Sequence, residues 1–225
     1  MRARDRITLT TLIAARDFLD EYGHRVPGVL ASDLPRRLAD IITLTNAHVT
    51  AYEAHRLHAD TLVRTQEVLR AALHDDHMTP IVRIARADVR HGDELRMLRM
   101  PAGRTTIDQL ASAASAMAGI AARFTDTFVS SGMRVTFVED LRAAIRALLD
   151  ARAQCTRERS AQHAATLGIA SAISQGRKVL HALDDLVATE LHRDAALLTN
   201  WQTVIAERRL GRPRRRRGKR PPPED

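Results

Sequence analysis

The sequence predicts an all-α protein, an elongated helical bundle in which two long helices pack antiparallel among several shorter ones. Three observations support this fold class. No glycine or proline lies between Pro35 and His74, so a helix of about 40 residues can form there. Apolar residues recur at steps of three and four rather than at alternate positions. Aromatic residues, which are enriched in strands, make up only 3% of the chain.

The N-terminal part is predicted to form three helices. The first spans about residues 5–22 and ends at a stretch that contains two glycines and a proline. Ser32 is a candidate N-cap for the first long helix, over residues 34–74. Thr79-Pro80 then begins a shorter helix that ends at Gly92, because proline is favoured in a first turn and glycine after a last one.

The C-terminal part is predicted to form three more helices. After a turn and a loop, a helix is expected over residues 106–131. Thr136 and Glu139 have the spacing of a capping box, which predicts that the second long helix covers residues 137–192. Asp194 is the candidate N-cap of the last helix.

Each long helix carries a seam of residues that is apolar at both ends and polar in the middle. If the helices pack antiparallel with these middles together, the polar side chains form a buried layer. The predicted layer consists of His48, Tyr52, His55, Arg152, Arg159 and Gln162. The expected neighbours are His48 with Gln162, Tyr52 with Arg159, and His55 with Cys155 or Arg152. The alternative is that the helices splay at this level, or that other helices cover each seam.

The two halves of the sequence resemble each other weakly. SDLPRRLADII at 32–42 resembles EDLRAAIRALL at 139–149, at an offset of 107 that aligns Leu38 with Ile145. A duplicated helical hairpin is therefore one interpretation. Chance similarity in a chain rich in Ala, Leu and Arg is the other.

The basic charge is concentrated at the C-terminus. Residues 208–225 hold nine of the 35 Lys and Arg residues and two of the 27 Asp and Glu residues. Residues 1–207 therefore carry 26 basic and 25 acidic residues. We expect a helical bundle domain over 1–207 and a disordered, Arg/Pro-rich basic tail over 208–225. A DNA-binding domain with a basic surface is not indicated.

The tail is the candidate nucleic-acid contact, because clustered arginines neutralise phosphates and release counterions without reading bases. The candidate contacts are Arg212, Arg214, Arg215, Arg216, Arg217, Lys219 and Arg220. Gly211-Arg212-Pro213-Arg214 resembles the core of an AT-hook, which implies binding in an A·T-rich minor groove. Leu210 stands where that core has an arginine. Charge-driven contact with DNA or RNA is therefore the main expectation.

No residue pattern indicates catalysis or a resident cofactor. The chain lacks a glycine-rich phosphate loop, a G-x-S-x-G elbow and a C-x-x-C motif. His55 and His58 are three residues apart, as are His74 and His77, but zinc needs at least three protein ligands. We predict no catalytic residue, no metal site and no cofactor. A site assembled from distant residues is the alternative.

Cysteine content and hydropathy indicate the compartment. Cys155 is the single cysteine, so a core position and a reducing compartment are expected. The most apolar window, residues 109–124, is shorter than the ~20 residues that a membrane span needs. The sequence predicts a cytoplasmic protein without a membrane span.

Three segments resemble a loose group of uncharacterised all-helical bacterial proteins. They are TPIVRIAR at 79–86, GRKVLHALDDLV at 176–187 and LLTNWQTVIAERR at 197–209. The resemblance implies the fold and no activity. We predict a non-enzymatic protein that assembles through its bundle and contacts nucleic acid non-specifically through its tail. The alternative is a scaffold or adaptor that binds itself or another protein and has no nucleic-acid role.

Overall fold

The computed structural model of the 225-residue chain describes residues 3–87, 98–101 and 105–210, with side chains up to residue 206. Over these ranges the chain is helical and contains no strand, which confirms the all-α fold class. None of the described helices is long and apolar enough to cross a membrane. Residues 211–225, which hold most of the predicted tail, lie outside the described residues.

The chain divides into two compact units, each with its own hydrophobic core. Unit 1 comprises residues 1–53 and 163–225, and unit 2 comprises residues 54–162. The two long helices are α3 (Leu34–Ala72) and α7 (Phe137–Glu190). One part of each helix belongs to unit 1 and the other part to unit 2. The sequence predicts one bundle domain over residues 1–207, because a chain of this length is long enough for one sizeable core.

Unit 1 is built from α1 (Ala3–Tyr22), α2 (Pro27–Ala31), α8 (Ala195–Leu210), the first part of α3 and the last part of α7. Its core joins α1 to α8 through Phe18 and Trp201, whose ring centroids are 5.1 Å apart. Trp201 is completely buried. Residues 208–210, expected in the tail, belong to the last turn of α8.

One of the two predicted N-caps of unit 1, Asp194, is confirmed. The backbone N–H of Leu197 donates to Asp194 Oδ1 at 3.1 Å, so Asp194 caps α8. The Ser32 hydroxyl accepts from the backbone N–H of Leu34 at 3.3 Å, but Ser32 is the C-cap of α2 and Asp33 is the residue directly before α3, so the predicted N-cap is one position too early.

Unit 2 is built from α4 (Thr79–Ala87), α5 (Ile107–Ala121), α6 (Thr125–Ser130), the last part of α3 and the first part of α7. The predicted capping box at the start of α7 does not involve Glu139, since the Thr136 hydroxyl donates to Asp140 Oδ2 at 3.0 Å. A complete capping box lies instead at the start of α5, between the side chains and backbone of Thr106 and Gln109.

One π-helical turn, Leu73–Met78, joins α3 to α4. The helix was predicted to end at His74, and this boundary is wrong because the chain stays helical through it. Leu73 and Met78 are both completely buried in the core of unit 2. On an α-helix, side chains five positions apart point about 140° away from each other. The π-helical turn has more residues per turn, so it brings Leu73 and Met78 to the same side of the helix.

Two glycines of α7 let other helices of unit 1 approach its backbone closely. A Cβ on Gly168 would lie 2.6 Å from His48 Cε1. One on Gly176 would lie 2.5 Å from Leu12 Cδ1 and 3.3 Å from Ile41 Cγ2. Since residue 41 meets residue 176 and residue 48 meets residue 168, α3 and α7 run antiparallel in unit 1.

The same antiparallel pairing occurs in unit 2. Cys155 Sγ lies 3.9 Å from the carbonyl oxygen of Ala59. The side-chain amide of Gln66 donates to the carbonyl of Ala151 at 3.1 Å. The predicted antiparallel packing of the long helices is thus confirmed within each unit. Buried seam residues also recur at the offset of 107 in the two cores: Leu34, Leu38 and Ile41 correspond to Leu141, Ile145 and Leu148.

Candidate functional site

The basic tail, the first candidate site, cannot be placed among the described residues. All seven of its candidate contacts, from Arg212 to Arg220, lie beyond residue 210. These residues come after α8 in the sequence, and the buried Trp201 holds α8 in unit 1.

The polar residues predicted to form one layer have different surroundings. In unit 1, the half-buried ring of His48 lies against Gly168, six positions beyond the predicted partner Gln162. Tyr52 is half-buried and packs on the hydrophobic core of unit 1.

In unit 2, two of the predicted layer residues are on the surface. Arg152 and Arg159 are exposed, and Arg152 forms an ion pair with Asp108 of α5. Gln162 is half-buried. The two arginines therefore do not belong to a buried layer, which corrects the prediction. Long arginine side chains at the edge of a helix pair reach solvent instead of accepting the cost of burial.

His55 meets a carboxylate that the sequence reasoning missed. Its Nδ1 lies 2.7 Å from Glu158 Oε2, and the two side chains are 35% and 27% exposed. The predicted neighbours Cys155 and Arg152 are three and six positions earlier on α7. The predicted alignment of the seams is thus three to six residues, or about one to two helical turns, out of register. Gly168 was the missed signal, because a glycine lets a bulky residue of the neighbouring helix approach the backbone closely.

A second histidine lies near the same carboxylate oxygen. His58 Nδ1 is 3.9 Å from Glu158 Oε2, and the His58 side chain is 75% exposed. An open groove of about 430 Å³ borders the cluster and is lined by His58, Thr61, Leu62, Gln154, Arg157 and Glu158. Cys155 is buried, as predicted, so its thiol does not line this groove. The arrangement combines nitrogen bases and a carboxylate at an accessible surface.

These side chains do not form a metal site as they stand. In the part of the chain that the structure describes, no three His, Cys, Asp or Glu residues are placed to hold an ion. The short contact between His55 and Glu158 is a hydrogen bond in this state.

A second cleft, of about 610 Å³, lies in unit 1 between the end of α1 and the start of α8. Arg25 crosses it and donates to Asp194 Oδ2 at 2.8 Å. A hydrogen bond with Glu21 raises the pKa of the Tyr22 phenol above its usual value. Arg25, Asp194 and Glu21 of this cleft thus already have partners within it.

No protein-family model matches the chain, and neither a curated protein nor a solved structure matches it. The resemblance of three segments to a group of helical bacterial proteins stays a prediction, as does the AT-hook likeness of the tail.

Proposed function

We propose that this is a non-enzymatic helical protein that contacts nucleic acid through its C-terminal tail and assembles through its helical units. The main support for the proposal is that the net positive charge is concentrated in the tail. The last 18 residues hold nine basic and two acidic residues, whereas residues 1–207 are almost balanced. A tail of this kind attracts polyanions through phosphate neutralisation and counterion release.

The composition of the tail favours backbone contact over base recognition. Residues 208–225 contain no aromatic side chain on which a base could stack. Arginine forks suit phosphate oxygens in DNA and RNA equally. The proposal therefore specifies binding that depends strongly on salt and weakly on sequence.

Exposed apolar residues on α3 support the assembly part of the proposal. Leu57 and Val68 are 59% and 69% exposed in unit 2. They are eleven positions apart, which places them within about 20° of each other around the helix. A partner helix, from this protein or another, could cover both. Changing both residues to Gln should lower the average mass measured by light scattering if this face joins two copies.

The test of the tail is binding to a labelled DNA duplex, measured by fluorescence anisotropy at several salt concentrations. The full chain should bind with an affinity that falls steeply with salt, with a log–log slope of roughly −0.9 for each phosphate neutralised. A chain that ends after Leu210 keeps all of α8 and should lose this binding. A third variant, with every arginine after Leu210 changed to lysine, keeps the charge and should bind almost as well as the original.

Two outcomes would contradict the proposal. Equal binding by the full and shortened chains would make the tail irrelevant. Retention of a protein partner by the tail after nuclease treatment, without direct binding to the duplex, would favour the adaptor instead. Loss of binding in the lysine variant alone would point to minor-groove recognition by the AT-hook-like segment.

A further inference from the structure

We propose that the unit 2 part of α3 packs antiparallel against the same helix of a second copy of this chain, about a two-fold axis near residue 63. The proposal rests on the assembly part of the proposed function and names the partner. It uses one exposed face of α3, which we call the outer seam. The outer seam consists of Ala54, Leu57, Thr61, Thr65, Val68 and Ala72.

The outer seam faces away from the core of unit 2. Its residues recur at steps of three and four and lie within an arc of about 80° around α3. Ala59, which is buried and whose carbonyl lies near Cys155 of α7, is about 160° around the helix from Thr61. Five of the six seam residues are exposed, and Ala72 is half-buried. A partner helix can therefore reach the whole face.

The outer seam is unusually apolar for the solvent-facing side of a helix, which normally carries charged residues. None of its six residues is charged, and Leu57 and Val68 are 59% and 69% exposed. The hydroxyl of Thr61 donates to the carbonyl of Leu57 at 3.0 Å, and that of Thr65 donates to the carbonyl of Thr61 at 3.2 Å. Because both hydroxyls have acceptors within α3, a partner can cover them without leaving a donor unsatisfied.

The outer seam is symmetric along the chain. It reads Ala-Leu-Thr-Thr-Val-Ala, so its second half mirrors its first half. The centre lies at residue 63, midway between Thr61 and Thr65 and midway between Ala54 and Ala72. The leucine lies six positions before this centre and the valine five positions after it. A two-fold contact requires a self-complementary face of this kind, which favours a second copy over an unrelated helix.

Two charged residues beside the outer seam are also placed to pair across this axis. Asp60 and Arg64 are exposed and share one flank of the seam, because they are four positions apart. Asp60 lies three positions before the centre and Arg64 one position after it. In an antiparallel pair the same flanks of the two helices meet, so Asp60 of each copy faces Arg64 of the other. A parallel pair would bring opposite flanks together, so the charges favour the antiparallel orientation.

The size of the outer seam sets the strength of the dimer. The face is about 27 Å long and, with a helix diameter of about 10 Å, covers roughly 300 Å². A standard stable interface buries about 800 Å² on each partner. The dimer should therefore dissociate on dilution.

The experiment measures the mass of the full chain, free of nucleic acid, by sedimentation equilibrium at low salt over a range of protein concentrations. The original chain should change from monomer to dimer as its concentration rises. Asp60→Arg and Arg64→Asp each replace two attractive pairs with two repulsive ones, and each should raise the dimer dissociation constant about tenfold. An equimolar mixture of these two variants restores both attractive pairs, so it should dimerise about as tightly as the original chain.

The matched control is Arg83→Asp, which makes the same change of charge at an exposed arginine of α4. It should dimerise like the original chain. A chain that stays monomeric at millimolar concentration would overturn both this proposal and the assembly part of the proposed function. A dimer that neither seam variant weakens, or that their mixture does not restore, would overturn only the antiparallel contact through α3. Circular dichroism checks that the variants stay folded.

Discussion

Trp201 donates its indole N–H to Asp184 Oδ1 at 3.0 Å, which connects the last helix to the longest one. Trp201 is completely buried, and its ring also packs 5.1 Å from that of Phe18 on α1. One side chain thus holds three helices of unit 1 together. The two adjacent carboxylates, Asp184 and Asp185, have different environments, because Asp184 is half-buried and Asp185 is exposed.

Trp201→Phe should destabilise unit 1. The change keeps an aromatic ring but removes the N–H that Asp184 accepts, and hydrogen bonds to charged groups contribute about 1.5–3 kcal/mol. Urea unfolding followed by circular dichroism measures the loss. Asp184→Asn keeps an oxygen acceptor and should cost less. If both variants were as stable as the original, the hydrogen bond would contribute nothing.

Gly176→Ala should destabilise the protein although alanine favours helices. The new Cβ would lie 2.5 Å from a methyl of Leu12, which is completely buried. Overpacking of this kind costs about 1–3 kcal/mol, more than the ~1 kcal/mol that helix propensity contributes. A net loss of about 1 kcal/mol in unfolding free energy is expected.

Gly119→Ala is the same substitution at another glycine and should stabilise the protein, whereas Gly176→Ala should destabilise it. Gly119 is exposed on α5, and no atom beyond its chain neighbours and the backbone of its own helix lies within 4 Å of the position of its Cβ. Without a steric penalty, the propensity term should stabilise the helix by about 0.5–1 kcal/mol. Melting temperatures of the two alanine variants should therefore move in opposite directions. Movement in the same direction would show that close packing at Gly176 is not the cause.

Thr106→Ala should weaken the start of α5 by about 1 kcal/mol. The Thr106 hydroxyl accepts from the backbone N–H of Gln109 at 3.3 Å, and the Gln109 side chain accepts from the backbone N–H of Thr106 at 2.9 Å. Thr106→Ser keeps the hydroxyl and should stay close to the original stability in thermal unfolding. A serine variant as unstable as the alanine variant would indicate that the threonine methyl, not the cap, matters.

The fragment 54–162 should fold on its own. It contains the complete core of unit 2, from Leu73 to Leu148, in one continuous stretch of chain. We expect a helical circular dichroism spectrum and one cooperative urea transition. A non-cooperative, gradual loss of helicity would contradict this expectation.

The helices themselves could be predicted because their signals are local. Asp194 has a side chain that caps a helix, and the structure shows this cap. The seam of α7 at Leu141, Ile145 and Leu148 is buried because its apolar spacing matches the helical period.

The register between the helices could not be predicted from polarity alone. An alignment based on polar residues placed His55 opposite Cys155 or Arg152. In the structure, α3 approaches α7 closely at Gly168 and Gly176, where the small residue leaves room. Steric fit decided the alignment, and Glu158 became the partner of His55 as a result. The division into two units was also invisible, because α3 and α7 each continue from one core into the other.

The discontinuity of unit 1 has a consequence for biosynthesis. The core of unit 2 ends at Leu148, so this unit can close while the ribosome is still adding residues. The core of unit 1 begins at Leu9 and is completed only by Trp201. Helix α1 is translated before unit 2 and therefore lacks its final partners until the whole of unit 2 has been made. During this interval its apolar face lacks the partners of the folded core, and exposed apolar surface of this kind favours aggregation.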